Sequence, residues 1–96
     1  MDYVADYQNC CIDAVLNYPL FFAFKDVFIN GKSMNQIEST IQLTNKTFKD
    51  PSVLGVFLNN HDNKRFLNMS TSINRFKNAV AFTLLTGKIL FIFIFA

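Results

Sequence analysis

Three short apolar runs constrain this chain more than any other feature. They are CIDAVLN (11–17), VLGVFL (53–58) and ILFIFIF (89–95), and the stretches between them carry helical spacing. The continuous run VLGVFL suits a strand buried on both faces, as in a parallel sheet, while CIDAVLN mixes small and branched apolar residues around Asp13 and reads as a short strand. Strands that alternate with helices imply crossover connections. The order reads β-α-β-α-β. Three parallel strands cannot close a barrel, and an open sheet of three leaves apolar edges, so the chain reads as part of a larger α/β domain.

The punctuation between the runs supports that order. Tyr18-Pro19 stops the first run, because proline has no N–H to donate to a strand ladder. LFFAFKDVFIN (20–30) reads as a helix with Gly31 just past its end, with a strand as the alternative that its Phe-rich face leaves open. Ser33 and Gln36 have capping-box spacing, and Met34, Ile37 and Ile41 follow on one helical face, fading through TNKT. Asp50-Pro51 marks a turn. A last helix is expected over about 73–86, with Ile73, Phe76, Val80 and Leu84 inward and Gly87 as its stop. There is no internal repeat, Gly-rich phosphate loop or low-complexity linker.

Composition narrows the function classes. The 96 residues carry a net charge of +2. That is too little, and too scattered, for a nucleic-acid footprint, and Lys64 with Arg65 makes a pair rather than a patch. Half of the residues are hydrophobic, enough for a core; Phe is abundant and Trp absent. The N-terminal MDYVADYQNC lacks the pattern of a signal peptide. A spanning helix needs roughly 20 apolar residues, which ILFIFIFA does not supply. No CxxC spacing supports zinc, and adjacent cysteines rarely bridge each other, so Cys10 and Cys11 read as buried free thiols, with a bridge to another chain or to a segment outside this one as the alternative. Asn45-Lys46-Thr47 and Asn68-Met69-Ser70 fit the glycosylation acceptor pattern and lend weak support to a secretory route.

Chemistry concentrates after the second run, in FLNNHDNKRF (57–66). In parallel α/β folds ligands bind at the carboxyl ends of strands, where Asn59, Asn60, His61 and Asp62 fall. The same residues also suit a polar turn held by local Asx hydrogen bonds. A Ser-His-Asp triad lacks its elbow, and one His with one Asp cannot close a metal site. Acid/base work by a carboxylate pair requires a second acid near Asp62; Asp13 lies within the first run and Asp50 at the opposite end of the expected sheet.

Three stretches resemble the alpha-amylases, the (β/α)8-barrel glycoside hydrolases, with the fungal type most similar. YQNCCIDAVLNYPLF (7–21) is similar to the region of their sixth strand, VLGVFLNNHDNKRF (53–66) to their seventh-strand motif, and NAVAFTLLTGKI (78–89) to the helix and glycine before their eighth. The resemblance covers nearly the whole chain, in order and spacing. It implies a partial TIM barrel with parallel strands, an incomplete domain spanning 1–96. It also implies endo-cleavage of α-1,4-glucosidic bonds in starch or glycogen by a monomeric enzyme acting on α-glucan polysaccharides or oligosaccharides. By that resemblance Asp62 matches the aspartate that stabilises the transition state, and His61 the histidine that hydrogen-bonds the scissile sugar. Asn60 and Arg65 match supporting residues, and Asn17 and Tyr18 lie near the cleft with no assigned chemistry.

Departures from the family pattern bound this reading. The nucleophilic aspartate, the acid/base glutamate and the structural calcium ligands all match positions preceding Met1, and Glu38 matches neither catalytic acid. The chain alone is therefore expected to be inactive. Asn59 stands where many members carry an acid. A disulfide of the fungal branch links positions matching Ala5 and Phe48. Leu90 replaces a proline, and the Tyr-Gly-x-Glu ending of the eighth strand is missing, as in a truncated or diverged product. The competing expectation is a non-catalytic remnant that binds a partner or a membrane surface through its apolar tail. For the parent protein, a secreted or lysosomal route is expected.

Overall fold

Asn17 and Pro19 set the start of a central helix. The Asn17 side-chain oxygen accepts a hydrogen bond from Leu20 N–H at 3.1 Å, and proline occupies the first turn, where its missing donor costs nothing. The structure is a computed structural model that describes residues 3–60 and 62–86, and the backbone alone of residues 2, 89 and 90. Helix α1 spans Asp2–Cys10 and α2 spans Tyr18–Phe24. A π-helical turn, Lys25–Ile29, extends α2 and closes with Asn30 N–H donating to the Lys25 carbonyl at 3.2 Å. Gly31 then takes φ +73°, the left-handed conformation that lets the chain leave a helix.

Helix α3 spans Asn35–Thr47. The reciprocal capping box expected from Ser33 and Gln36 is replaced by a different start. Ser33 Oγ accepts from Asn35 N–H at 3.2 Å, while Gln36 N–H donates to the Ser33 carbonyl at 3.0 Å. The hydroxyl is used two residues along the chain, as serine often does in turns. Ile37 is buried and Ile41 half-buried on the inward face, but Met34 is exposed.

The first two apolar runs yield far less strand than their length allows. Over 11–17 only Leu16 makes a strand-type contact, a parallel bridge to Gly55. Cys11 and Ile12 instead donate back to the Tyr7 carbonyl, finishing α1. In 53–58 the strand β1 is Gly55–Val56, because Val53 is drawn into a 3-10 turn over Pro51–Val53 that Asp50 caps. β1 pairs in parallel with β2, Ile89–Leu90, in the register Gly55 to Ile89 and Val56 to Leu90. The expected strand at 91–95 and the Gly87 stop lie outside the described residues.

A short helix α4, Phe66–Met69, precedes α5, Ile73–Leu85. The span of α5 agrees with its periodicity, but its inward face does not. Ala79 and Thr83 are buried, whereas Ile73 is 51% and Leu84 55% exposed. Aromatic contacts set this rotation: Phe82 meets Phe24 edge-on at 5.5 Å, and Phe76 meets Phe66 at 5.5 Å. Thr83 tolerates burial because its hydroxyl donates to the Ala79 carbonyl at 2.8 Å.

Two apolar clusters hold these elements. One joins Leu20, Ala23, Phe24 and Val27 to Ile37 and Val56; the other joins Val4 and Ala5 to Phe48 and Leu54. Helix α1, which the sequence pattern did not announce, is fastened by polar groups as well. Gln8 Nε2 donates to the Asp50 carbonyl at 2.7 Å and Gln8 Oε1 accepts from Asp50 N–H at 3.0 Å. Asn9 repeats the pattern one residue on, donating to the Thr47 carbonyl and accepting from Lys49 N–H. Cys10 and Cys11 are exposed and their sulfurs are bonded to each other, which corrects the expectation of buried free thiols.

Candidate active site

The loop after β1 is anchored by a phenylalanine at each end. Phe57 is buried against Phe21, stacked at 4.9 Å, and against Tyr18, edge-on at 5.0 Å. Phe66 is buried at the other end and opens α4. Asn59 joins the ends, its Oδ1 accepting from Phe66 N–H at 2.8 Å.

Asn60 is only 2% exposed, and both ends of its amide are used. Its Nδ2 donates to the Tyr18 hydroxyl at 2.8 Å. Its Oδ1 accepts from Asn63 N–H at 3.0 Å and from Asn63 Nδ2 at 2.8 Å. The Arg65 guanidinium donates to the Asn60 backbone carbonyl. Local Asx bonding, the plain reading of a polar turn, is therefore present. It leaves Asp62 exposed between two tied positions, Asn60 and Asn63. His61 lies outside the described residues. Of the other acids weighed, Asp50 is committed to capping, its carboxylate accepting from Ser52 N–H at 3.1 Å. Asp13 stands on the exposed stretch before Leu16.

Tyr18 links this loop to a groove of about 510 Å³ between α1, α2 and α3. Tyr3, Tyr18 and Phe22 give the groove an aromatic wall, and Asp26, Gln36 and Ser39 add polar groups. Aromatic faces with convergent hydrogen-bonding groups form the usual lining of an organic-ligand site. The sequence reading missed Tyr3 and Phe22. Tyr18 and Phe22 stand at i, i+4 with ring centroids 5.9 Å apart, a pairing the spacing could have shown; Tyr3 rides on the unannounced α1.

Calcium takes about six to eight oxygen ligands, several of them carboxylates. Among the described residues no group of three or more His, Cys, Asp or Glu is gathered that could hold a metal ion. Also among the described residues, no helix is long and apolar enough to cross a membrane.

No family model matches the chain. Individual proteins do. An alpha-amylase of Saccharomycopsis fibuligera is 36% identical over 84 residues, covering 86% of this chain. A beta/alpha-amylase of Paenibacillus polymyxa is 41% identical over 66 residues, covering 69% of it. Among solved structures, the cyclomaltodextrin glucanotransferase CldA superposes with a TM-score of 0.90 at 32% identity, covering 96% of this chain and 19% of its own. An alpha-amylase from Malbranchea cinnamomea gives 0.84 at 34% identity, covering 92% and 19%. The chain spans 17% of the length of the S. fibuligera relative and 5% of the P. polymyxa one.

Proposed function

We infer that this chain, a segment of the alpha-amylase family, supplies part of the sugar-facing wall of a glycosidase that cleaves α-1,4 bonds within starch or glycogen. The observation that carries the reading is the join between loop and groove. The Tyr18 hydroxyl accepts from Asn60 at 2.8 Å, and the Tyr18 ring lines the aromatic groove. A polymer lying along that groove would run toward the loop that presents Asp62.

Glycoside cleavage builds positive charge on the scissile sugar in an oxocarbenium-like transition state. A preorganised carboxylate beside that sugar stabilises the charge without reorganising at the moment of reaction. We assign this role to Asp62 and assign His61 to holding hydroxyls of the same sugar. Asn60 positions the loop and Arg65 braces it, which their bonding in the structure supports. Nucleophile and acid/base, a carboxylate pair in retaining enzymes, would come from the strands that precede this segment in the family's barrel. In the complete barrel the three apolar runs would continue the parallel sheet begun by the pairing at Leu16, Gly55 and Ile89. The enzyme would work as a monomer on the secretory route, a placement supported by the exposure of both acceptor asparagines, Asn45 and Asn68.

Two measurements test the reading. Residues 1–96 alone should release no reducing sugar from starch. A chimera carrying them in place of the matching segment of the M. cinnamomea alpha-amylase should hydrolyse starch, and Asp62→Asn in that chimera should lower kcat by about 10²–10³-fold. A folded chimera with no activity, or one indifferent to Asp62→Asn, would overturn the assignment.

A further inference from the structure

Cys10 ends α1 and Cys11 begins the turn after it, both exposed, with their sulfurs bonded to each other. Neither belongs to an apolar cluster, to the loop at 57–66 or to the lining of the groove. A cross-link between residues already joined by a peptide bond closes no long loop, so it removes little entropy from the unfolded chain. Such a bond contributes little to stability, and its exposure opens it to thiol exchange. The backbone around it is held by other means. Cys11 and Ile12 N–H both donate to the Tyr7 carbonyl at 3.0 Å, and Gln8 and Asn9 fasten α1 to residues 47–50. Cleaving the disulfide would leave two thiols side by side on a fixed surface.

We propose that Cys10 and Cys11 form a reversibly reducible site whose dithiol form binds trivalent arsenicals through both sulfurs. In the first step a thiolate of a small dithiol attacks one sulfur and forms a mixed disulfide. The second thiol of the reductant then displaces the protein thiolate. Two electrons and two protons end on Cys10 and Cys11, and the reductant leaves as its cyclic disulfide. In the second step an organoarsenic(III) oxide gives up its oxygen as water while the two S–H bonds are replaced by two As–S bonds. Thiolates are soft ligands suited to such a centre. Adjacency makes the second As–S bond intramolecular, so it forms at a high effective concentration and resists competing monothiols.

The test uses the full chain and phenylarsine oxide, read by native mass spectrometry after reduction and removal of the reductant. The expected result is one arsenical per reduced chain, retained in excess 2-mercaptoethanol, stripped by a small dithiol and not taken up by the oxidised chain. Cys10→Ser and Cys11→Ser should each weaken monothiol-resistant binding by about 10²-fold or more, the factor contributed by the tethered second thiol. Reduction that proceeds only after denaturation would overturn the site. So would an arsenical that 2-mercaptoethanol removes from the reduced wild type. The wild-type arms decide the outcome even where a serine variant misfolds.

Discussion

Asn60 is a short polar side chain in a buried place, and it is tolerable there because each end of the amide has a partner. Asn60→Leu keeps the branched shape and removes every one of those bonds. It strands the Asn63 amide groups as well, so a loss of about 2–4 kcal/mol is expected, read as a lower urea midpoint. Tyr18→Phe is a milder change that removes one acceptor, with an expected loss of about 1 kcal/mol. A double-mutant cycle of Tyr18→Phe with Asn60→Ala should show a coupling of about 0.5 kcal/mol or more, since the two groups touch; strict additivity would mean that this bond does not matter in solution. Position 60 stood out in the sequence only by its place in the motif. Its partnership with Tyr18 was not. The two residues are 42 positions apart, and a hydroxyl that meets an amide across a fold leaves no periodic signal in either segment.

Helices were more legible than strands, for reasons that differ by element. In α2 and α3 the apolar spacing and the stop at Gly31 agree, so the spans follow. In α5 the span was readable but the face was not. The pattern ranks residues by hydrophobicity, whereas the packing selected small Ala79 and Thr83 for close approach and left Leu84 outside. α1 escaped notice because Gln8 takes an inward position beside Val4 and Ala5, so the buried stripe is partly polar. The clamp that Gln8 makes is testable. Gln8→Ala breaks bonds at both ends of the amide and leaves Asp50 N–H unpaired, an expected loss of about 2 kcal/mol. Hydrogen exchange should quicken first at residues 47–50, and a uniform response over the whole chain would argue against a local clamp. At the end of the long helix, Gly31→Ala should cost about 1 kcal/mol from the positive φ alone. A Cβ there would meet nothing within 4 Å. Gly31→Asn should cost less than Gly31→Ala, since asparagine visits that region more readily; the reverse order in denaturant midpoints would point to a packing cause instead.

At the scale of the whole molecule, the second apolar cluster occupies the place where the resemblance to the fungal-type enzymes implies a cross-link. The resemblance pairs the positions of Ala5 and Phe48, and the structure sets both residues, buried, in one cluster with Val4 and Leu54. A small residue and a large one now fill that space with apolar contact. Restoring the cross-link as Ala5→Cys/Phe48→Cys sets two effects of similar size against each other. Truncating a buried phenylalanine costs about 3–5 kcal/mol. Closing a loop of about 40 residues gains about 4 kcal/mol in the chain-entropy picture. The oxidised double variant should therefore unfold within about 1–2 kcal/mol of the parent, and the reduced one should be weaker by roughly the whole cavity term. Denaturation of the double variant with and without reductant separates the terms, with the parent under the same reductant as control, because its Cys10–Cys11 bond closes no long loop. A double variant that forms no such bond under oxidising conditions would show that the two positions, though buried together, do not bring their Cβ atoms into bridging geometry. The packing of α1 onto the 48–54 segment would then rest on apolar contact and on the Gln8 and Asn9 bonds alone.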